Sequence, residues 1–512
     1  MPVRLPQPLA VVDIGSNSGR VIVVRLGSGG HLEILSDART SLRLIRDIGA
    51  SGRLGAQAEE RTLAALQDFA AIAAGAGAAR VIVVATAAVR EASNGDEFVA
   101  RLAARTGLDI RVIDGDEEAR HAFTGAVHGL PVDSGLLVDV GGGSLEISRF
   151  HDRRAVRGWT LPLGALRLTD RFLSGDPPRQ GEIGKLQDHV VAALREAGVN
   201  GLDGGEAMVG TGGTIRNLAK VHRASLSSYP VPRLHGYVLS RRGLREVTER
   251  VLERPLSRRT AIPGLSADRA DSIAGGALVV QAAMDELGAR ELVVSGQGLR
   301  EGIAFEELSR RLPSTGAVRD ASLAALADRF TTWDAARAER RRRLAARLLD
   351  LLAADAGDEI RETLDHAATI LDAGRSVDYY NRWQHAAEIV LSADLRGFSH
   401  RGIALLAAVI ARAGRDRVSL RPYATLLDAA DRRLVDAAAV VLALADEVER
   451  RMPPGESAAA ERRDRRRAVE LALPIPHAWQ ATDIAERFHR VFGRRLEVVP
   501  AAERSPQAHR AG

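Results

Sequence analysis

A glycine-rich stretch at residues 137–147 constrains the local fold more than any other part of the chain. A short apolar run ends at Asp139, four turn-forming residues follow, and a second apolar run contains Glu146. This order predicts a strand, a tight turn and a strand. Glycine leaves the backbone N–H groups of such a turn uncovered, so an anion can lie against them. Asp139 ends the first strand, where a metal ion bound to that anion would lie. The turn residues are Gly141, Gly142, Gly143 and Ser144.

The same plan occurs near the N-terminus. An apolar run ends at Asp13, a glycine and small polar residues follow, and residues 21–26 form a β-rich run. Residues 13–18 and 139–144 match in register, with aspartate first and serine last in both. The recurrence predicts two duplicated α/β halves, each offering a phosphate-binding loop to a shared cleft, because the period is far too long for a solenoid. In the first loop the expected phosphate-binding residues are Ser16, Asn17 and Ser18.

Two further glycine-containing turns follow later in the chain. Residues 207–218 predict a strand, a Gly/Thr turn and a helix, and the N–H groups at a helix start form a ready anion site. A plain strand-to-helix turn without a ligand is the alternative. A long helix is predicted to begin within residues 264–271, with Ser266 or Asp268 as its cap, and to end near residue 287. Residues 292–302 then repeat the turn pattern, and such turns at strand ends line the ligand crevice of an open α/β sheet. The third turn contributes Gly212, Gly213 and Thr214 as candidate phosphate-binding residues.

Charged residues near these turns have two interpretations each. Residues 114–120 open a helix that runs to about residue 129, and acidic side chains in a first turn are favoured by the helix macrodipole. That effect explains two of the three acids at 116–118, and the third is a candidate base in the cleft. Arg90 and Arg269 either face the cleft or lie on a helix surface. The residues alone leave these choices open.

The composition changes near residues 312–316. Beyond them glycine becomes rare and alanine, arginine, leucine and aspartate dominate, which predicts a separate helical region. The arginine-rich runs at 340–343 and 462–467 are interpreted as solvated helix faces rather than binding stripes. A strand is predicted at 496–499 and a loose tail at 501–512. The predicted helices cover residues 323–330, 340–353, 360–371, 381–391, 403–413 and 424–448.

Length and charge limit the class of protein. At 512 residues the chain is too long for one core, so two to four domains are expected. It has no cysteine, which excludes disulfides and thiolate metal sites. No apolar stretch reaches about 18 residues and no signal sequence is found, so we expect a cytoplasmic protein with no membrane partner. The net charge of +5 is small and the basic residues are almost all arginine, so no specific nucleic-acid partner is expected, although a polyanionic ligand would fit.

Taken together, these motifs resemble the exopolyphosphatase / guanosine pentaphosphate phosphatase family, in the right order over residues 9–305. The matching segments are 13–18 with Arg20, 85–92, 115 with 117–120, 139–146, 210–218, 235–236, 264–265 with 268–271, and 295 with 298–302. The resemblance implies an α/β fold of two actin-like (ribonuclease-H-like) domains with a cleft between them, followed by an all-α, HD-like C-terminal domain. The implied boundaries are 1–128, 129–310 and 311–512.

The resemblance also implies a reaction and a set of site residues. The reaction is Mg²⁺-dependent release of terminal phosphate by water, with K⁺ as an optional activator and a homodimer as the assembly. The catalytic glutamate of the family falls on Glu118, while Asp139 and Glu146 fall on the acids near the metal and the attacking water. We assign Asp13, Asp139 and Glu146 to the metal and Glu118 and Glu146 to catalysis. The expected phosphate-binding side chains are Arg20, Arg90 and Arg269, together with the loop residues named above.

Residues 370–374 lie where the HD-like domain would carry its His-Asp pair. Leu371 replaces the histidine, which puts metal-dependent chemistry in that domain in doubt. His366 and His385 are then interpreted as packed or surface histidines.

Inorganic polyphosphate and pppGpp remain alternative substrates of the same site. Polyphosphate is the first choice because the long helical half and the many arginines suit an extended polyanion. A sugar or acetate-type kinase also carries two Asp-Gly loops, but it needs an adenosine site, for which the sequence shows no clear segment. A non-catalytic polyphosphate or nucleotide sensor is the third class, and the combination of Glu118, Asp139 and Glu146 argues against it.

Overall fold

In a computed structural model of the chain, the structure describes residues 7–501 apart from 28–29, 309–311, 331–333, 415–417, 454–455 and 457. The described residues form two compact units. The first comprises the chain up to Ser227 with Arg233–Ser322 and Arg396–Ser399, and the second comprises Ser228–Pro232, Leu323–Leu395 and the residues from His400 onward. Across these described ranges no helix has the length and apolar character needed to cross a membrane. Of the predicted tail at 501–512, residues 502–512 lie outside the described residues.

The first compact unit contains two sheets. The first sheet has the strand order β3-β2-β1-β4-β5, where the strands are β1 (Leu9–Ile14), β2 (Ser18–Leu26), β3 (Leu32–Ser41), β4 (Arg80–Ala85) and β5 (Ile110–Val112). The helices of this part are α1 (Leu44–Ser51), α2 (Ala56–Gly75), α3 (Ala87–Glu91), α4 (Gly95–Thr106) and α5 (Gly115–His128). Strand β1 pairs antiparallel with β2 and parallel with β4. Its apolar residues are fully buried, as expected for a strand covered on both faces.

The second sheet has the order β10-β11-β9-β6-β7-β8, where the strands are β6 (Gly135–Val140), β7 (Leu145–His151), β8 (Arg154–Leu161), β9 (Ala207–Thr211), β10 (Tyr237–Ser240) and β11 (Glu291–Val294). The accompanying helices are α6 (Ala165–Phe172), α7 (Gln180–Glu196), α8 (Gly212–Ser225), α9 (Arg241–Leu252), α10 (Leu256–Arg259), α11 (Ile273–Glu286) and α12 (Leu299–Leu308). Strand β6 pairs antiparallel with β7 and parallel with β9, as β1 does with β2 and β4. The predicted duplication of an α/β half is therefore confirmed.

Two helices connect the halves by crossing between the sheets. Phe123 and Val127 of α5 pack with Phe150 of the second sheet, whereas Ile303 of α12 packs in a core with strands of the first sheet. The two helices approach each other so closely that a Cβ added to Gly302 of α12 would lie 1.8 Å from the carbonyl oxygen of His121 of α5. The predicted boundary at 128 thus separates α5 from the second sheet, against which it packs. The predicted domain 129–310 likewise groups α12 apart from the first sheet, against which α12 packs.

The long helix predicted to begin within residues 264–271 begins later. Residues Ala267–Arg269 form only a short 3₁₀ turn, and α11 begins at Ile273 after Ser272. Ser266 precedes the 3₁₀ turn without a capping side-chain hydrogen bond, and Ser272 rather than Asp268 precedes α11, so both predicted caps are wrong. The side chain of Asn217 accepts a hydrogen bond from the Ser266 N–H at 2.9 Å, so this N–H is satisfied outside a helix.

From residue 315 onward the chain is mainly helical, as predicted. The helices are α13 (Thr315–Ala327), α14 (Ala335–Leu352), α15 (Asp358–Ile370), α16 (Arg382–Ser392), α17 (His400–Gly414), α18 (Ala429–Glu449) and α19 (Thr482–Phe492). A small sheet accompanies them, with the order β12-β13-β14 and the strands β12 (Glu461–Asp464), β13 (Ala468–Leu473) and β14 (Arg495–Pro500). The sequence predicts only β14 of these strands.

Each interpretation of the arginine runs is wrong in one part, although the arginines at 463 and 465–467 are exposed as predicted. The run at 462–467 lies on β12 and the turn after it rather than on a helix. Strand β13 is buried throughout, and β12 pairs with it along one edge, where Arg465 bonds to the buried Glu470. The run at 340–343 does lie on α14, but Arg341 within it is completely buried and paired with Asp372 and Asp446. An interior ion network, not solvation, explains that arginine.

Candidate active site

The two glycine-rich hairpins have the same register and carry different charges. Asp139 lies opposite Glu146 across β6 and β7, and Asp13 lies opposite Arg20 across β1 and β2. Each turn closes with an equivalent hydrogen bond, from Gly141 N–H to Ser144 O at 3.0 Å and from Gly15 N–H to Ser18 O at 3.2 Å. The strand–turn–strand predictions are confirmed for both loops. One cross-strand position therefore supplies a cation in the first half and an acid in the second.

The carbonyl groups of both turns accept hydrogen bonds from backbone N–H groups later in the chain. Ala165 N–H donates to Gly141 O at 2.9 Å and Leu166 N–H donates to Gly142 O at 3.0 Å. In the first loop Ile45 N–H donates to Ser16 O, also at 3.0 Å. Within the described part of the chain, the N–H groups of Gly142 and Gly143 donate no hydrogen bond. The turns thus keep N–H groups available for an anion, as a backbone anion nest requires.

The third turn comes close to the second. Gly212, the first residue of α8, has φ +87°, and a Cβ added to it would lie 2.1 Å from Oδ1 of Asp139. Both the left-handed backbone and the contact require glycine. The N-terminus of α8 therefore lies directly beside the carboxylate of Asp139.

Gly212→Ala is expected to lower kcat/KM by about 10²-fold, because displacing Asp139 by about 1 Å misplaces the reacting groups. Gly205→Ala is a matched control, since Gly205 also has φ +87° but an added Cβ would meet nothing within 4 Å. Both variants should lose similar stability from backbone strain, about 1–3 kcal/mol. Steady-state kinetics and thermal melting separate the effects, and equal activity in the two variants would contradict the placement of Asp139.

One cavity of about 150 Å³ lies where these elements meet. The predicted residues that line it are Asp13, Ser16, Asn17, Ser18, Arg20, Glu118, Asp139, Gly141, Gly142, Gly143, Ser144, Glu146, Gly212, Gly213 and Arg269. Two predicted residues do not line it. Arg90 instead donates to Glu118 Oε2 at 3.2 Å and to Ile113 O at 2.7 Å, and Thr214 is buried with 1% exposure. The structure thus gathers most candidates in one place, and their roles stay predictions.

The cavity also contains residues that the sequence prediction missed. Arg216 from α8 and Arg300 and Glu301 from α12 line its wall. The Nε atom of Arg216 is buried without a hydrogen-bond partner among the described residues. Arg216 follows Gly212 by four residues, which places both on one helix face, so that spacing was a usable signal. Arg300 and Glu301 directly follow the fourth glycine turn, and only the crossing of α12 brings them here.

Comparison with known proteins identifies the family. A model described as the Ppx/GppA phosphatase family matches residues 22–311, and a model described as Ppx/GppA phosphatase, domain III matches residues 318–485. This chain belongs to the Ppx/GppA phosphatase family. Membership makes it a phosphatase hydrolase, and the suspected resemblance is confirmed.

Relatives and solved structures agree with the family. Exopolyphosphatase 1 of Mycobacterium bovis is 33% identical over 319 residues, which cover 62% of this chain and 92% of that protein. Exopolyphosphatase 2 of Mycobacterium tuberculosis is 33% identical and covers 58% of this chain and 97% of its own length. The structure of the Aquifex aeolicus Ppx/GppA family member aligns with a TM-score of 0.53 at 29% identity, covering 59% of this chain and 97% of that chain. The actin-like fold of the first part is thereby shown.

The acids of this phosphatase site raise one another's pKa values. Burial raises the pKa of Asp13 to about 6, although Arg300 and Arg20 oppose the rise. Burial and the neighbouring Asp13 raise the pKa of Glu118 to about 7 against the opposing effect of Arg90. Burial, Glu118 and Asp139 raise the pKa of Glu146 well above its ordinary value. Repulsion among buried carboxylates of this kind is relieved by a bound cation.

The arginines of the site are crowded in the same way. Burial lowers the pKa of Arg20 to about 9, with Arg216 and Arg300 adding to the effect. Burial also lowers the pKa of Arg216 and of Arg269. Neighbouring cations repel one another, so a polyanion that accepts hydrogen bonds from several of them would be stabilised here.

The residues also fit a metal ion whose coordination shell is completed by the substrate. Among the described residues no group of three or more acidic or histidine side chains could hold a metal by itself. Mg²⁺ commonly uses only one or two carboxylates, with waters and substrate phosphates as its other ligands. Oδ1 of Asp13 is buried and has no hydrogen-bond partner in the described part of the chain, and Asp13 and Asp139 line the same cavity. An orphaned carboxylate oxygen beside a second carboxylate is a suitable donor set for such an ion.

Proposed function

We propose that this Ppx/GppA phosphatase is an exopolyphosphatase that releases the terminal phosphate of inorganic polyphosphate in a Mg²⁺-dependent reaction. One observation carries the proposal: a single cavity combines uncovered loop N–H groups and arginines with Glu118, Asp139 and Glu146. The names of the mycobacterial relatives support the same substrate.

Hydrolysis at this site needs mostly positioning and charge stabilisation. Phosphoryl transfer to water involves little covalent chemistry by the protein. The N–H groups of the glycine turns, with Arg20, Arg216 and Arg269, would bind the oxygens of the terminal phosphates. These groups would hold the phosphorus in line with the attacking water and stabilise the charge that develops on the leaving phosphate oxygen.

Glu118 is the group best placed to accept the water proton. Asp114 caps α5 by accepting a hydrogen bond from Glu117 N–H at 2.8 Å, which fixes the first turn that carries Glu118. Arg90 donates to Glu118 Oε2 at 3.2 Å and holds the carboxylate toward the cavity. The raised pKa of Glu118 suits a general base near neutral pH. Water oxygen then bonds to phosphorus, the phosphoanhydride P–O bond breaks, and the shortened chain leaves with the electron pair.

Asp13 and Asp139 would hold Mg²⁺, with waters and substrate phosphate oxygens as its other ligands, and Glu146, the third predicted ligand, would act from beside them. When bound, the ion would neutralise charge on the phosphate oxygens. Glu146 lies opposite Asp139 in the ladder, so it is also placed to orient the attacking water.

The same site would accept the triphosphate end of pppGpp, which makes pppGpp 5′-phosphatase activity the second candidate. The names of the mycobacterial relatives support polyphosphate as the first choice.

Phosphate release from long-chain polyphosphate and from pppGpp tests the proposal. We expect a higher kcat/KM for polyphosphate and loss of activity when EDTA removes Mg²⁺. A higher kcat/KM for pppGpp would favour the second candidate. If neither substrate releases phosphate, the hydrolase proposal fails, and ATP-dependent phosphorylation of a small acceptor would then support the kinase alternative.

A further inference from the structure

A second cavity, of about 360 Å³, lies within the helical unit and has no part in the proposed reaction. Its wall includes Arg337 and Arg340 from α14, Arg375 from the turn after α15, Arg382 from α16 and Arg450 after α18. Three carboxylates also line it, so five arginines face three acids. The described lining residues therefore carry an excess of two positive charges.

The carboxylates are buried and hold the arginines in place. Glu449, with a side chain only 2% exposed, bonds to Arg337 at 2.7 Å and to Arg340 at 2.6 Å. Asp446, 3% exposed, bonds to Arg382 at 3.2 Å. Positions fixed in this way reduce the entropy that a ligand must remove when it binds. The guanidinium groups are thus preorganised around the cavity.

The remaining carboxylate, that of Asp372, is not available as a metal ligand. Asp372 occupies the second position of the expected His-Asp pair, and Arg341 donates to it at 3.0 Å. Although burial raises the pKa of Asp372, Arg341 holds it below its ordinary value. Leu371 is completely buried and offers no metal ligand. A guanidinium therefore already neutralises the acid that a metal would need.

An aromatic ring completes the cavity. The guanidinium carbons of Arg382 and Arg375 lie 5.0 and 5.7 Å from the ring centroid of Tyr379. Cation–π contacts at these distances orient the guanidinium planes. Planar guanidinium groups bind phosphate oxygens in pairs, which an isolated ammonium group does not do. The volume is within the range of pockets for small ligands.

We propose that this arginine-lined cavity is a second anion site, which binds linked phosphate groups without hydrolysing them. Two sources supply that chemistry, inorganic oligophosphate and a nucleoside diphosphate. The site consists of residues of the helical unit alone, so it stands or fails independently of the activity proposed above.

Hydrogen exchange of the full chain, titrated with tripolyphosphate in EDTA, tests the proposal. We expect protection of peptides that cover residues 371–382 and α14. In Arg340→Gln the concentration needed for that protection should rise at least about tenfold, because hydrogen bonds to charged partners are strong. Arg343→Gln is the matched control on the same helix, since Arg343 is 70% exposed and pairs with Glu339.

The outcomes separate the sources and the alternatives. Equal or tighter protection by GDP indicates a nucleotide ligand, whereas protection by tripolyphosphate alone indicates oligophosphate. Absence of protection in these peptides with both probes overturns the proposal. The proposal is also overturned if Arg343→Gln raises the concentration needed for protection as much as Arg340→Gln does. Thermal melting checks that Arg340→Gln is folded. Arg375→Gln, whose ion pair with Asp372 is 3.5 Å long, provides a second variant if it is not.

Discussion

Glu118→Gln is expected to lower kcat for phosphate release by about 10²–10⁴-fold, the usual contribution of a general base. Glutamine keeps the shape of the side chain and can still accept the hydrogen bond from Arg90, but it cannot take a proton from water. Removing a carboxylate from a cluster of buried acids should not weaken the fold, because burial and the neighbouring Asp13 oppose the charge of Glu118. Steady-state kinetics on polyphosphate and a melting curve measure both effects.

Glu117→Gln is the matched control. Glu117 precedes Glu118 in the same helical turn, pairs with Arg111 at 2.6 Å and does not line the cavity. The control removes the same charge one residue away, so it should keep turnover within a few-fold of the wild type. Near-wild-type turnover in Glu118→Gln would remove Glu118 as the base. An equal loss in both variants would show that the effect comes from the charge of the helix terminus.

The two phosphate loops were predictable because their information is local. Glycine and serine at fixed offsets after an aspartate specify a tight turn between two strands, and the match of 13–18 with 139–144 required no tertiary knowledge. The register then follows, since the closing hydrogen bond is the same in each turn. The two duplicated halves could therefore be predicted from one pattern that occurs twice.

The rest of the site depends on long-range packing. Arg300 and Glu301 reach the cavity because α12 crosses to the first sheet, and sequence periodicity does not contain that crossing. For Arg90 the sequence left a cleft position and a surface position open. The structure shows a third arrangement, in which the side chain supports Glu118 from beside the cavity. Helix rotation decides such cases, and it is determined by tertiary contacts.

The burial of Arg341 also could not be foreseen. A run of four arginines on a helix normally indicates a solvated face. Two of its neighbours fit that expectation in part, with side chains 34% exposed at Arg340 and 70% exposed at Arg343. Arg341 turns inward because Asp372 and Asp446, which are distant in sequence, meet at one point. Buried charges require partners, and sequence spacing does not reveal them.

Arg341→Met is expected to lower the free energy of unfolding by about 3–5 kcal/mol, because it leaves buried carboxylates without their main partner. In the wild type Arg341 bonds to Asp446 at 2.9 Å, to Asp372 at 3.0 Å and to the carbonyl oxygen of Ala368 at 2.9 Å. Arg382 still reaches Asp446 at 3.2 Å, which favours the lower end of the range. Urea unfolding followed by circular dichroism measures the change.

Two further variants decide whether the cause is the unpaired charge of Asp372 or the loss of the other hydrogen bonds of Arg341. Arg343→Met removes the same side chain from the exposed face of α14 and should change stability by no more than about 0.5 kcal/mol. Arg341→Met combined with Asp372→Asn removes one of the abandoned charges and should recover part of the loss, since a neutral amide costs less to bury than a carboxylate. If the double variant is no more stable than Arg341→Met, the loss comes from the other hydrogen bonds of Arg341, to Asp446 and to the carbonyl oxygen of Ala368. In Arg341→Met the arginine-lined cavity would be held only by its remaining ion pairs. The tripolyphosphate concentration needed for protection in this variant would therefore measure how much Arg341 contributes to ordering the site.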